Sequence, residues 1–293
     1  MKNSERRMKK IKTMKTSIHK LPLAAALLLS AINYQPSTAL AQGSLTPPGA
    51  PAPTMKTLDQ IEPRIPIDAL HTPGDASSAF VISNSGSYFF TTNLTGVPGK
   101  SYVIALHANN VTLDLCGFSL LGNSTFSYGI VIPSNFYTNL VVRNGMVSGF
   151  TASGINCDDI YNGHFEQLVL SQNNIAGLIC GRNSRVRDCL AFGNTGDGFV
   201  LFSYCEIQNC SASDNKGIGI HVFEYGSRIE HNHVLSNGIG VQVDSSGNMV
   251  TGNSASGNVT NAFSIVANNM AGPILNSPTM IATNVNPFVN FAF

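Results

Sequence analysis

Tryptophan is absent from this chain of 293 residues, and Asp, Glu, Lys and Arg together make up only 11% of it. An ordinary soluble domain is roughly a quarter charged. A phosphate-binding surface needs clustered Lys and Arg, and past residue 20 no such run occurs, which excludes a nucleic-acid partner. Helical patterning is missing too, because no window sustains apolar residues at a 3.6-residue period. The formal net charge of +1 is misleading, since eight of the 17 basic residues fall at Lys2, Arg6, Arg7, Lys9, Lys10, Lys12, Lys15 and Lys20. Without that stretch and Glu5, nine basic residues face 15 acidic ones, a net of −6.

The one long apolar run, Leu21 to Ile32, comes directly after the basic stretch and contains one proline, Pro22. It has the length of a signal-peptide core and is short for a bilayer span, the alternative being a membrane-anchoring helix. Ala39-Leu40-Ala41 supplies the small residues a signal peptidase reads, so cleavage is expected after Ala41, leaving a secreted or periplasmic protein with no membrane span. Residues 42–75 form a spacer in which Pro47, Pro48, Pro51 and Pro53 fix φ and remove donors. Strand-forming residues begin at Phe80-Val81-Ile82, and residues 76–110, irregular in spacing, are expected to form an N-terminal cap.

From there the chain repeats. A Gly followed by an apolar residue recurs at Gly129, Gly154, Gly177, Gly198, Gly219 and Gly240, with spacings of 25, 23, 21, 21 and 21. In step with it, an apolar residue precedes Asn by eight positions at Phe165/Asn173, Val186/Asn194, Ile207/Asn215, Ile229/Asn237 and Val250/Asn258. Within each unit apolar residues alternate over a few positions, as in Ile220-His221-Val222, which is strand periodicity. Strands this short cannot bury a face alone, so successive turns must stack. The expected fold is all-β, a single-stranded right-handed parallel β-helix over residues 111–260, with caps at 76–110 and 261–293. About seven turns at a spacing of about 4.8 Å would make a rod about 35 Å long. Asn tolerates the left-handed backbone of sharp corners, and Asn173, Asn194, Asn215, Asn237 and Asn258 are expected to form an amide ladder. The alignment puts Cys116, Cys189 and Cys210 at one repeat position, and Cys157 and Cys180 at another. Side chains projecting in parallel hold Cβ atoms slightly too far apart for a disulfide, so buried thiols are expected. The phenylalanines of the C-terminal tail are expected to pack against the last turn.

Asn110-Val111-Thr112-Leu113-Asp114-Leu115-Cys116-Gly117-Phe118-Ser119-Leu120 resembles the first rung of bacterial β-helix proteins in the pectin-lyase-like superfamily, and the units from Tyr128 to Asn258 resemble its repeats. The resemblance implies an exported protein that cuts, epimerises or binds acidic polysaccharide. The superfamily's catalytic motifs depart from this sequence. Asp158-Asp159 is present without the Gly-His-Gly and Arg-Ile-Lys of polygalacturonases, and the Asp-Pro-His-Asp of alginate epimerases is missing.

Two sets of residues remain as candidates. Tyr161, His164 and Arg182 lie in neighbouring turns, where a phenol or imidazole could remove a proton and the guanidinium could neutralise a uronate. Tyr161, Phe202, Tyr204, Phe223 and Tyr225 could instead hold sugar rings, because Phe202 and Tyr204 match Phe223 and Tyr225 one turn on. His231-Asn232-His233 resembles a metal motif but has no third ligand at the next turn. No cofactor and no metal ligand set is expected. The favoured role is a non-catalytic surface or polysaccharide-binding module, with an acidic polysaccharide as its partner. The alternative is a polysaccharide lyase or related enzyme acting on uronates.

Overall fold

A strand of three to five residues exposes as much apolar surface as it covers, and here each strand lies in register on its copy one turn away. In the computed structural model, residues 63–122, 128–277 and 286–293 are described. The signal peptide and the spacer up to residue 62 lie outside the described residues, as does 278–285 in the tail. The chain divides into units Met1–Met55 and Lys56–Phe293, and everything described belongs to the second.

That unit is a parallel β-helix, and every described element is a strand. Its first face is a sheet of nine parallel strands, one per turn. Phe199, Val200 and Leu201 pair with Ile220, His221 and Val222, and Ile220 and Val222 in turn pair with Val241 and Val243. The second face stacks strands such as Arg185–Arg187, Glu206–Gln208 and Arg228–Glu230, and the third stacks Leu190–Phe192, Ser211–Ser213 and His233–Leu235. Two strands of 12 residues, Tyr137–Ser148 and Ile160–Ser171, bend across both faces and join them into one sheet. Turns outnumber those the repeats predict because Ser78–Ile82 and Tyr102–Leu106 already pair in full register without the Gly and Asn pattern.

Inward positions form columns. Val186, Ile207, Ile229 and Val250 are fully buried on the second face, as are Phe199, Ile220 and Val241 on the first. The third face offers mostly alanine, at Ala191, Ala212 and Ala255. Small residues there leave room for the larger ones opposite, and burying each large aliphatic contributes about 1.5–3 kcal/mol before entropy is set against it.

The corners satisfy the polar groups of the backbone. Nδ2 of Asn173, Asn194, Asn215 and Asn237 each donates to Oδ1 of the next asparagine, at 3.1, 2.8, 2.8 and 3.1 Å, completing the ladder that the sequence predicts. Each Oδ1 also accepts the preceding asparagine's backbone N–H, as at Asn194 to Asn215, 3.1 Å. The repeat glycines border this ladder. A Cβ on Gly198 would sit 2.6 Å from the Gly219 carbonyl and 3.0 Å from the Asn215 amide nitrogen, so only hydrogen fits.

A second corner continues the same logic with Asn232, Asn253 and Asn290, whose amides chain at 3.0 and 3.1 Å. Cys210 occupies that column one turn earlier, its backbone N–H bonded to Asn232 Oδ1 at 2.9 Å, with Cys189 before it. All six thiols are free and five are buried. Cys157 pairs in register with Cys180, while the Cys189 and Cys210 thiols, one turn apart, donate to the carbonyls of Arg187 and Gln208. Cys116 does not share their column. Leu115 fills the buried slot there, and Cys116 turns outward at a left-handed corner with φ 51°. In the tail, Asn290–Ala292 pairs with Ser254–Ser256, but Phe288 and Phe293 are exposed rather than packed, and Val289 and Asn290 are the buried residues.

Asn215→Ala removes two donated and two accepted hydrogen bonds at a fully buried corner. Urea unfolding should show a loss of at least about 3 kcal/mol, since each stranded buried group costs about 1–3 kcal/mol. A loss under about 1 kcal/mol would show that the ladder does not hold the coil.

Candidate functional site

The corner that succeeds the first face shows where the repeat is broken. Asn110, Asn139, Asn162 and Asn183 occupy it in successive turns with φ of 55°, 61°, 62° and 55°. Their exposed side chains form an outer ladder, Asn139 donating to Asn110 at 2.7 Å, Asn162 to Asn139 at 3.1 Å and Asn183 to Asn162 at 2.5 Å. One turn further the slot holds Tyr204, still left-handed at φ 59°. Asn is at ease in this conformation and a bulky aromatic is strained by about 1 kcal/mol or more. Tyr204 is 56% exposed and Tyr225, one turn on, 52% exposed, with ring centroids 5.3 Å apart. Gly226 makes room for this arrangement, because a Cβ there would lie 2.5 Å from the Tyr204 ring.

Beside them, on outward positions of the first face, Phe202 and Phe223 have centroids 5.9 Å apart and planes within 21°. The His221 ring lies 4.0 Å from that of Phe223. Nδ1 of His221 meets Asp197 Oδ2 at 3.0 Å and Nε2 meets Asp244 Oδ2 at 2.8 Å, so carboxylates from the turns before and after clamp the ring. Gln242 Nε2 donates to the other oxygen of Asp244 at 2.8 Å. Burial alone would push the imidazole's pKa down, but the two carboxylates outweigh it and the net shift is upward. Burial likewise opposes ionisation of Asp244, yet hydrogen bonds from His221 and Gln242 hold it below the usual carboxylate range. Both nitrogens face carboxylates, and the ring donates to both of them only in its imidazolium form.

A third group completes the strip. Arg182 Nη2 donates to Glu224 Oε1 at 3.1 Å, Ser203 Oγ donates to the other oxygen of Glu224, and the Tyr161 hydroxyl lies beside Arg182. The Ser203 hydroxyl and the Arg182 guanidinium keep Glu224 ionised below its ordinary pKa. Phe136 meets Tyr161 edge-on at 6.2 Å. Past Tyr225 the surface opens into a shallow groove lined by Gly226, Arg228, Gly247, Met249 and Met270.

All five aromatic candidates, Tyr161, Phe202, Tyr204, Phe223 and Tyr225, thus face outward on this side. Of the three candidates for elimination chemistry, Tyr161 and Arg182 touch, whereas His164 stands on the second face in register with Val141 and Arg185. His231 sits at a left-handed corner and His233 on the third face beside Ser211 and Ser254. Among the described residues no group of three or more His, Cys, Asp or Glu converges as a metal site would require. The His221 clamp has no signature in the sequence. Its members lie 24 and 23 residues apart, nearly one turn each, a spacing that signals stacking only once the coil's register is known.

These features define a parallel β-helix protein with an aromatic strip on one side. The model of the family described as periplasmic copper-binding protein (NosD) matches residues 119–287, more than half of the chain, and the chain belongs to that family. No curated protein matches. Among solved structures, the A-module of mannuronan C-5 epimerase AlgE6 from Azotobacter vinelandii is similar at 14% identity and TM-score 0.46, covering 75% of this chain and 72% of that one. The AlgE4 A-module of the same organism is 14% identical at TM-score 0.39, covering 68% and 74%. The Dettilon tailspike protein is 11% identical at TM-score 0.39, covering 74% and 60%.

Because the folded His221 pKa lies above the unfolded value of about 6.5, its contribution to stability is complete below about pH 6.5 and disappears as pH rises through the folded value. His221→Gln should therefore flatten the alkaline limb of a stability-against-pH curve measured by urea unfolding. An unchanged alkaline limb would show that the clamp carries no proton.

Proposed function

We propose that this protein is an exported, periplasmic β-helix protein that binds polysaccharide along the outside of its first face without cutting it. The periplasmic setting is that of its family's description, and the basic stretch, apolar run and Ala39-Leu40-Ala41 agree with export. One observation carries the binding role: Tyr204 stands in a strained left-handed slot that asparagine fills in four other turns. Strain kept against an available relaxed residue marks a side chain retained for what it displays. What it displays is an exposed ring continuous with Tyr225, Phe223 and Phe202 and bordered by carboxylates. Apolar C–H faces of sugars pack on such rings, and ionised carboxylates accept their hydroxyls.

The family's description also names copper. The described residues do not fit a copper centre of three or more ligands. Their imidazoles and thiols fail to converge, both nitrogens of His221 are occupied, and the thiols of Cys189, Cys205 and Cys210 donate to backbone carbonyls inside the coil. No step of the proposed function passes through a metal.

The contact between Tyr161 and Arg182 favours one second reading, β-elimination of a uronate polymer, in which a phenolate removes the proton. Glu224 already neutralises Arg182, which speaks against it. Residues 42–293 should co-sediment with a polysaccharide without raising ultraviolet absorbance or releasing reducing ends. Replacing both Tyr204 and Tyr225 by Ala should weaken binding about tenfold, or about 1.4 kcal/mol, with folding intact. A rise in absorbance that Tyr161→Phe abolishes would replace binding with elimination.

A further inference from the structure

Resting on the polysaccharide-binding role, we infer that the ligand of the aromatic strip is an uncharged glycan, and that the strip's own ion pairs turn uronate polymers away. The strip carries two cations, and carboxylates hold both. Arg182 is bound by Glu224, and His221 lies between Asp197 and Asp244. Three carboxylates against two cations leave the strip with an excess negative charge. At its far edge Arg228, which lines the groove, is paired with Glu230 at 3.0 Å. Among the described residues, a uronate carboxylate lying on these rings would meet Arg182 and His221 already paired with carboxylates, and would face Glu224 and Asp244.

The wider field points the same way. Beyond residue 20 the chain carries nine basic and 15 acidic residues, and a net negative protein slows the approach of a polyanion. Among the described residues the second face adds no compensating basic patch. There Arg143 pairs with Asp114 and Glu166, and Arg185 and Arg187 both pair with Glu206.

The same groups suit hydroxyls. Each ionised carboxylate has about four lone-pair sites, more than its protein partners use. Glu224 lies between Phe223 and Tyr225 in sequence, and Asp244 continues the outward column of Phe202 and Phe223. Glu224 therefore lies between two rings of its own turn, and Asp244 follows the ring column one turn on. A sugar chain running along the axis would rest its C–H faces on the rings and donate hydroxyls to the carboxylates beside them. The acidic polymer implied by the superfamily resemblance is the ligand this arrangement disfavours.

The test is calorimetric titration of the purified protein at low salt with xyloglucan, galactomannan and a mixed-linkage β-glucan, against polygalacturonate, alginate and chitosan. One or more of the uncharged polymers should bind, with both uronate polymers at least tenfold weaker, and replacing both Tyr204 and Tyr225 by Ala should remove about tenfold of the affinity. Glu224→Gln leaves Arg182 without its carboxylate and should raise polygalacturonate binding at least threefold at low salt, an increase that added salt erases. Uronate or chitosan binding as tight as that of every uncharged polymer would overturn this inference while leaving polysaccharide binding in place. Absence of binding to all six polymers would remove both.

Discussion

Every turn of this coil must change direction three times, and each corner leaves backbone amides facing inward where no strand can pair with them. A buried amide without a partner costs more than most packing contacts return. The chain meets this requirement by placing at each corner a short side chain that reaches one turn along the coil. Asparagine is the most complete solution, since its oxygen accepts from the preceding turn while its nitrogen donates both onward and back, as at Asn215. Repetition of the corner sets the 21-residue period, the period sets the register of the three faces, and the register turns alternating apolar residues into continuous inner columns.

The outer surface inherits that order. Residues one period apart stand one above another on every face, so a side chain that departs from its column is conspicuous. On the second face the departures cancel, because Arg and Glu alternate along the columns and neutralise each other. On the first face they accumulate instead: aromatic rings, a clamped histidine and an asparagine corner given over to tyrosine all fall within three turns. A scaffold this regular also explains how a strained tyrosine is tolerated. Neighbouring turns hold its backbone, with the Tyr204 N–H bonded to the Tyr225 carbonyl at 2.9 Å.

Fold is far more legible in the sequence than site. The Gly and Asn signals are read twice per turn, and both have steric or hydrogen-bonding causes that act at every copy, as the Gly198 and Asn215 contacts show. Where those causes lapse, legibility lapses with them. The first turns pack without the Gly and Asn pattern, and Cys116 is displaced from its apparent column by two extra residues between Asp114 and Ser119 that only the backbone reveals. The aromatic candidates are legible as a set because they repeat at the period, but their direction is not, since residues on either side of a corner do not alternate like those within a strand. His221, Asp197 and Asp244 carry no local signature, and their meeting depends on three separate turns.

At Tyr204 the coil gives up corner stability in exchange for a displayed ring. Tyr204→Asn reverses that exchange, because asparagine relieves the left-handed strain and restores the next rung of the outer ladder beyond Asn183. Urea unfolding and glycan titration on the same protein should show stability rising by about 1 kcal/mol while binding weakens. A variant no more stable than the wild type, binding glycan just as tightly, would show that no such exchange exists.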